Sequence, residues 1–237
     1  MNMKHLIQSS LLFTAITWSF STQAVPISLT PLTGLVGGSP AATAIYRADF
    51  SSAGIFDLAS ITIMDNSSRL GGSPGRFSGF DLDAIILSNI SCTTATCVAG
   101  LSGFSLFDYS SSGTLFTPGT QRTPMDSRLF GTDAGGMNID NIVATLGNFD
   151  GNSTTGPGAN GFVSMGDNGI LSFNLTSRIS TDGLFMYLGE VGNNGEVAAS
   201  SIEVSDRPVS VPEPATLALM GLGLLGLGFL SRRHHNG

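Results

Sequence analysis

The sequence predicts an all-β protein: an antiparallel β-sandwich or jelly-roll-like domain, flanked by an N-terminal signal peptide and a C-terminal single transmembrane helix. Three observations predict it. Between its ends the chain is built of short runs rich in Ile, Val, Phe and Thr, several of them alternating apolar with polar residues. Clusters of Gly, Ser, Asn, Asp and Pro interrupt those runs every few residues, and helical periodicity is scarce between them. Each end carries an uncharged apolar stretch of its own. Many short antiparallel strands with no helices between them favour sheet packed on sheet.

Taken in order, residues 1–24 read as a secretory signal peptide. Lys4 lies in a short leading region, the apolar stretch runs from Leu11 to Trp18, and Thr22-Gln23-Ala24 offers small residues for cleavage after Ala24 by signal peptidase. Residues 25–209 then form one acidic domain. Strands are expected within residues 42–50, 54–64, 77–90, 100–109, 139–147, 169–176, 183–191 and 196–204. Asn168-Gly169 and Asn194-Gly195 are the strongest hairpin turns, because primed turns need positive φ. Residues 207–214 look like an extended linker, and residues 210–237 form a separate tail.

The charge inventory removes most chemistry. Val25 to Val209 holds seven Arg, no Lys and no His, against sixteen Asp plus Glu, a net charge of −9. Nucleic acid is excluded as a partner, since binding it rests on neutralising phosphates. Without His there is no Ser-His-Asp arrangement and no His-ligated zinc, and without Lys there is no Schiff base. Cys92 and Cys97 form a C-x4-C pair that, in an exported chain, reads as a disulfide closing a tight loop. The expectation is a protein that is not an enzyme and needs no cofactor.

Two chemistries remain open. A carboxylate-pair glycoside hydrolase needs only two acids, but the domain offers just Glu190, Glu196 and Glu203 as glutamates, and its only Trp, Trp18, lies in the signal peptide. Structural calcium takes carboxylates and carbonyls, both plentiful here. Asp81 and Asp83, at i and i+2 of a strand, are one candidate; the alternative is that both face water while Phe80 and Leu82 face the core. Glu190 and Glu196, crowded with Asn193 and Asn194 about one turn, are the other. A calcium-dependent carbohydrate-binding module would use such a site, with Tyr46, Tyr109 and Tyr187 as the available ring platforms.

The tail is the most specific segment. Ala215 to Leu230 gives sixteen uncharged residues, about 24 Å as a helix against roughly 30 Å of hydrocarbon. Pro212-Glu213-Pro214 precedes it and Arg232-Arg233 follows, so positive-inside topology leaves the last residues in the cytoplasm and the domain outside the inner membrane. Gly221 to Gly226 matches G-x-G-x-x-G, but no strand leads into it and the chain ends soon after, so it is not a dinucleotide site. The stretch "VPEPATLALMGLGLLGLGFLSRR" resembles a PEP-CTERM sorting signal, the tripartite tail of exported proteins in biofilm-forming Gram-negative bacteria. The resemblance implies that Pro212, Glu213 and Pro214 are the recognition motif for exosortase, a membrane-embedded protease or transpeptidase. Ala215 to Leu230 would then be a temporary membrane helix and Arg232 and Arg233 its stop-transfer charge. The basic cluster departs slightly from the pattern in being only two Arg long. The expected destination is the cell surface or extracellular matrix, with a role in exopolysaccharide or biofilm.

Overall fold

The computed structural model describes residues 24–38, 42–66, 71–196 and 201–210. Residues 1–23 and 211–237 lie outside them, so the expected signal peptide, the sorting motif and the apolar tail rest on sequence alone. No helix among the described residues is long and apolar enough to cross a membrane.

Among the described residues nine strands form: β1 (Ala24–Val36), β2 (Thr43–Asp49), β3 (Leu58–Met64), β4 (Asp81–Ser88), β5 (Thr114–Thr117), β6 (Val163–Ser164), β7 (Ile170–Ile179), β8 (Phe185–Val191) and β9 (Ser201–Ser205). Two short helices, α1 (Ala95–Ala99) and α2 (Asn141–Ala144), sit in the connections. The all-β expectation holds, and the strands hydrogen-bond in one continuous order, β5-β7-β3-β9-β1-β2-β8-β4-β6. Every pairing is antiparallel.

The long strand β1 makes this sheet curl. Its first residues, Ala24 to Ser28, pair with β9, whereas Leu29 to Val36 pair with β2. The register slips between Pro31 and Leu35, and Gly34 takes φ of +84° there, a conformation that glycine reaches without strain. The two halves of the sheet then face a common apolar core. From one half come Ile61 and Ile63 of β3 opposite Phe173 and Leu171 of β7, while Thr62 and Ser172 on the other face share a hydroxyl hydrogen bond of 2.8 Å. From the other come Ile85 and Leu87 of β4 opposite Leu188 and Met186 of β8. Each such side chain contributes about 1.5–3 kcal/mol by leaving water.

Several local expectations are corrected. Residues 139–147 hold a helical turn: Asp140 caps α2 by accepting from Ile142 N–H, and Ile142 is left 91% exposed. Their apolar run mimics a strand, yet its pairing among the described residues stops at an isolated bridge from Ile139 to Thr132. Residues 100–109 contribute isolated bridges at Phe104 and Phe107. Asn168-Gly169 and Asn194-Gly195 do turn the chain, but neither joins strands that pair with each other, since β6, β7, β8 and β9 all find distant partners. The supposed linker is docked: Asn174 brackets Val209, accepting from its N–H at 2.7 Å and donating to its carbonyl at 3.1 Å, and Ser60 Oγ donates to Arg207 O.

The disulfide Cys92–Cys97 is present, with Cα atoms 5.7 Å apart. It closes the turn into α1, where Thr94 accepts from Cys97 N–H. A second apolar cluster of Ile45, Cys92, Ala95, Val98 and Tyr187 holds this loop against the outer face of the sheet. Tyr187 is its anchor, accepting from Cys92 N–H and donating to Ile90 O, both at 2.7 Å. Replacing both cysteines with serine is expected to cost about 2 kcal/mol, the loop-closure entropy of so short a ring. Thermal unfolding should show this as a loss of about 4–8 °C, and an unchanged midpoint would mean that Tyr187 and α1 fix the loop unaided.

Candidate functional site

The domain's charged chemistry is gathered where β3 and β8 end and β4 and β7 begin. Asp65 follows β3, Asp81 opens β4, Asp167 precedes β7, Glu190 is the penultimate residue of β8, and Glu196 lies beyond it. All five are buried, with Asp81, Glu190 and Glu196 at 0% exposure. The reading in which Asp81 and Asp83 face water is therefore corrected: the loop around residues 149–152 roofs the outer face of β4, with Gly38 N–H donating to Gly151 O at 3.0 Å.

The neighbouring acids Asp81 and Asp83 have different environments. Asp83 is fully engaged: Oδ2 accepts from Thr43 Oγ1, and Oδ1 accepts from Asp150 N–H at 3.1 Å and Gly151 N–H at 2.8 Å. It works as a peg that holds the loop. Burial raises its carboxyl to about 6, against those hydrogen bonds. Asp81 accepts one hydrogen bond, from Ser164 Oγ, through Oδ1 only. Its Oδ2 is buried without a partner.

The two glutamates of the 190–196 turn are the less satisfied groups. Neither Glu190 oxygen meets a hydrogen-bond partner of good geometry, although the Asn193 and Asn194 N–H groups lie near enough to favour its charged form, and Glu196 Oε2 has no partner either. Glu196 Oε1 receives Arg122 NH1 at 3.1 Å. Among the described residues Arg122 is the cation that meets this cluster. It also grips Asp167 through Nε at 3.0 Å and NH2 at 2.7 Å, and it donates to Gly71 O. Asp65 accepts from Phe80 N–H at 2.8 Å and Asn168 N–H at 2.7 Å, tying the ends of β3, β4 and β7 together. Gly72, with φ of +68°, lies so close over Glu196 that a Cβ there would stand 1.5 Å from Oε1. The Gly71-Gly72 pair therefore seals the cluster. Glu190 and Glu196 were legible as a crowded turn; Arg122, Asp65 and Asp167 were not, because nothing local marks them as neighbours.

The electrostatics follow from burial. Desolvation, then repulsion from Glu196, pushes Glu190 up to about 9. Glu196 is raised to about 8 by desolvation and Asp65, although Arg122 opposes this. Asp81 is raised by desolvation and by both glutamates. Among the described residues no three Asp, Glu, His or Cys side chains are already drawn up as a metal cage. A carboxyl whose folded pKa lies above its unfolded value stabilises the fold below the unfolded pKa, and that contribution is lost as pH rises through the folded pKa. With chelator present, stability is accordingly expected to fall from about pH 5 to pH 9, by about 1.4 kcal/mol per pH unit for each group titrating. Melting curves across that range check it; a midpoint that rises with pH would show the carboxylates to be compensated.

The ring platforms are mostly spent on packing. Tyr187 is wholly buried, Tyr46 packs against Phe80 at 6.4 Å between centroids, and Tyr109 stacks on Phe107 at 6.0 Å. A groove of about 390 Å³ remains beside Phe104, Phe107 and Tyr109, with Phe104 38% exposed.

The tail supplies the class. Residues 210–233 match the model of the PEP-CTERM protein-sorting motif, which covers about a tenth of the chain. The chain thus carries a PEP-CTERM sorting motif, and that motif implies export and processing by exosortase. No curated protein and no solved structure matches the chain.

Proposed function

We propose that this chain is an exported cell-surface or extracellular-matrix protein of a Gram-negative bacterium, delivered by exosortase, whose acidic β domain serves exopolysaccharide or biofilm assembly without catalysis. The sorting motif at residues 210–233 is the observation that carries the reading. Signal peptidase would release the N-terminus, and the inner membrane would hold the tail only until processing. Three features support this. Ala24 pairs with Ser205, so both membrane-directed ends leave one region of the domain. The domain holds no His or Lys. Glu190 and Glu196 are sealed from any substrate, while Glu203 faces solvent on β9, which gives a carboxylate-pair hydrolase no accessible pair of glutamates. The test is co-sedimentation of the exported protein with exopolysaccharide from its host, with reducing-sugar release measured in parallel. Binding without turnover supports the proposal, and turnover lost on replacing a carboxylate would overturn it.

The groove beside Phe104 favours a second reading, a carbohydrate-binding module. A glycan array run with and without chelator separates a dedicated lectin from a matrix component. Failure to bind any glycan in either condition ends the lectin reading.

A further inference from the structure

We propose that Glu190, Glu196 and Asp81 form a structural calcium site beneath the Gly71-Gly72 roof. The three side chains lie at 0% exposure, and between them they present four carboxylate oxygens without a hydrogen-bond partner: both of Glu190, Oε2 of Glu196 and Oδ2 of Asp81. A buried polar atom left unpaired costs about 1–3 kcal/mol, and more when charged. Asp81, Glu190 and Glu196, from β4, β8 and one turn, are near enough to repel one another, so one cation between them would serve all four oxygens.

The chemistry of the donors selects that occupant. Protonation cancels charge, but one shared proton can join at most two of the four open oxygens and leaves the others unpaired. Arg122 reaches only Glu196 Oε1 of these three residues, leaving the four open oxygens to another cation. All of them are hard carboxylate oxygens, with no His or Cys beside them, which disfavours zinc. Calcium takes six to eight oxygens in a flexible shell and accepts bidentate carboxylates together with carbonyl oxygens. The 190–196 turn supplies such carbonyls, as well as Asn193 and Asn194. Because the carboxylates are not already gathered into a cage, the ion would draw them together and pin the end of β8 to the start of β4. Asp83 takes no part, both its oxygens being occupied. The site is independent of how the tail is processed.

The test uses the exported protein, stripped with chelator and titrated with calcium by calorimetry and thermal melting, with magnesium as the control. One calcium per chain is expected, with a dissociation constant of about 1 mM or tighter. The melting midpoint should rise by at least about 5 °C once calcium exceeds that constant a hundredfold. Glu190→Gln should weaken binding at least about tenfold and abolish the shift, whereas Asp83→Asn should retain calcium affinity. If Glu190→Gln does not fold, Asp81→Asn and Glu196→Gln carry the same expectation. No heat and no shift up to millimolar calcium would leave the cavity to water or protons and overturn the proposal. An undiminished calcium response in Glu190→Gln would overturn it equally.

Discussion

With Pro212, Glu213 and Pro214 all replaced by alanine, the protein should remain in the membrane fraction with its last residues intact, and the released form should fall to background. The reason is geometric. Two prolines hold the motif extended and keep Glu213 out of the following apolar run, which gives an enzyme access to the backbone. Alanine removes that constraint and favours helix, so the run would extend toward the domain. There is little room for it to do so. Asn174 grips Val209, and five residues of extended chain span at most about 18 Å from there to Pro214. With Val209 docked, exosortase would act within that distance of the domain. Intact-mass measurement by fraction decides the matter: wild type should begin at Val25 and end near Pro214 in the surface or secreted fraction, and the alanine variant should retain Ala215 to Gly237. Normal release of the variant would remove the motif from the mechanism.

Legibility in the sequence followed the range of the interactions. Strands β2, β3, β4, β7, β8 and β9 were readable because their own residues alternate or run apolar, and the sorting tail because its chemistry is contiguous. Pairing was not readable. Only β1 and β2 are both consecutive and paired, so turn chemistry at Asn168-Gly169 and Asn194-Gly195 carried no information about partners. β1 itself went unseen: its two prolines and Gly34 look like loop, yet Pro26 pairs within the β9 half and Pro31 and Gly34 lie at the register slip against β2. β5 was hidden in a Ser- and Gly-rich stretch because its partner, β7, lies over fifty residues away. The acidic site shows the same limit. Glu190 and Glu196 announce themselves within one turn, but the roof over Glu196 depends on Gly72 and its ion pair on Arg122, both remote in sequence. Asp81 and Asp83 look equivalent as a pair of letters. Ser164 and the loop at Gly151 make one an open ligand and the other a peg.

Arg122→Met is the substitution expected to destabilise the folded domain most, by about 3–5 kcal/mol. Its side chain is 14% exposed, and those of its partners Asp167 and Glu196 are 1% and 0% exposed. Burial works against the guanidinium's charge, but Asp167 and Glu196 together more than offset it, and its pKa is raised. Removing it strands two carboxylates in a sealed site and frees Gly71 O, so the roof over Glu196 loosens as well. Methionine keeps much of the volume, so the loss reports charge and hydrogen bonding rather than a cavity. The measured effect should be a fall of roughly 10 °C in melting midpoint. Arg122→Lys should recover only part of it, because an ammonium cannot reproduce the fork on Asp167. The double variant Arg122→Met with Asp167→Asn should be less damaged than the sum of its parts, since the neutral amide no longer needs the cation. A simple sum would mean that the two side chains act separately, and that Glu196 is what Arg122 chiefly serves.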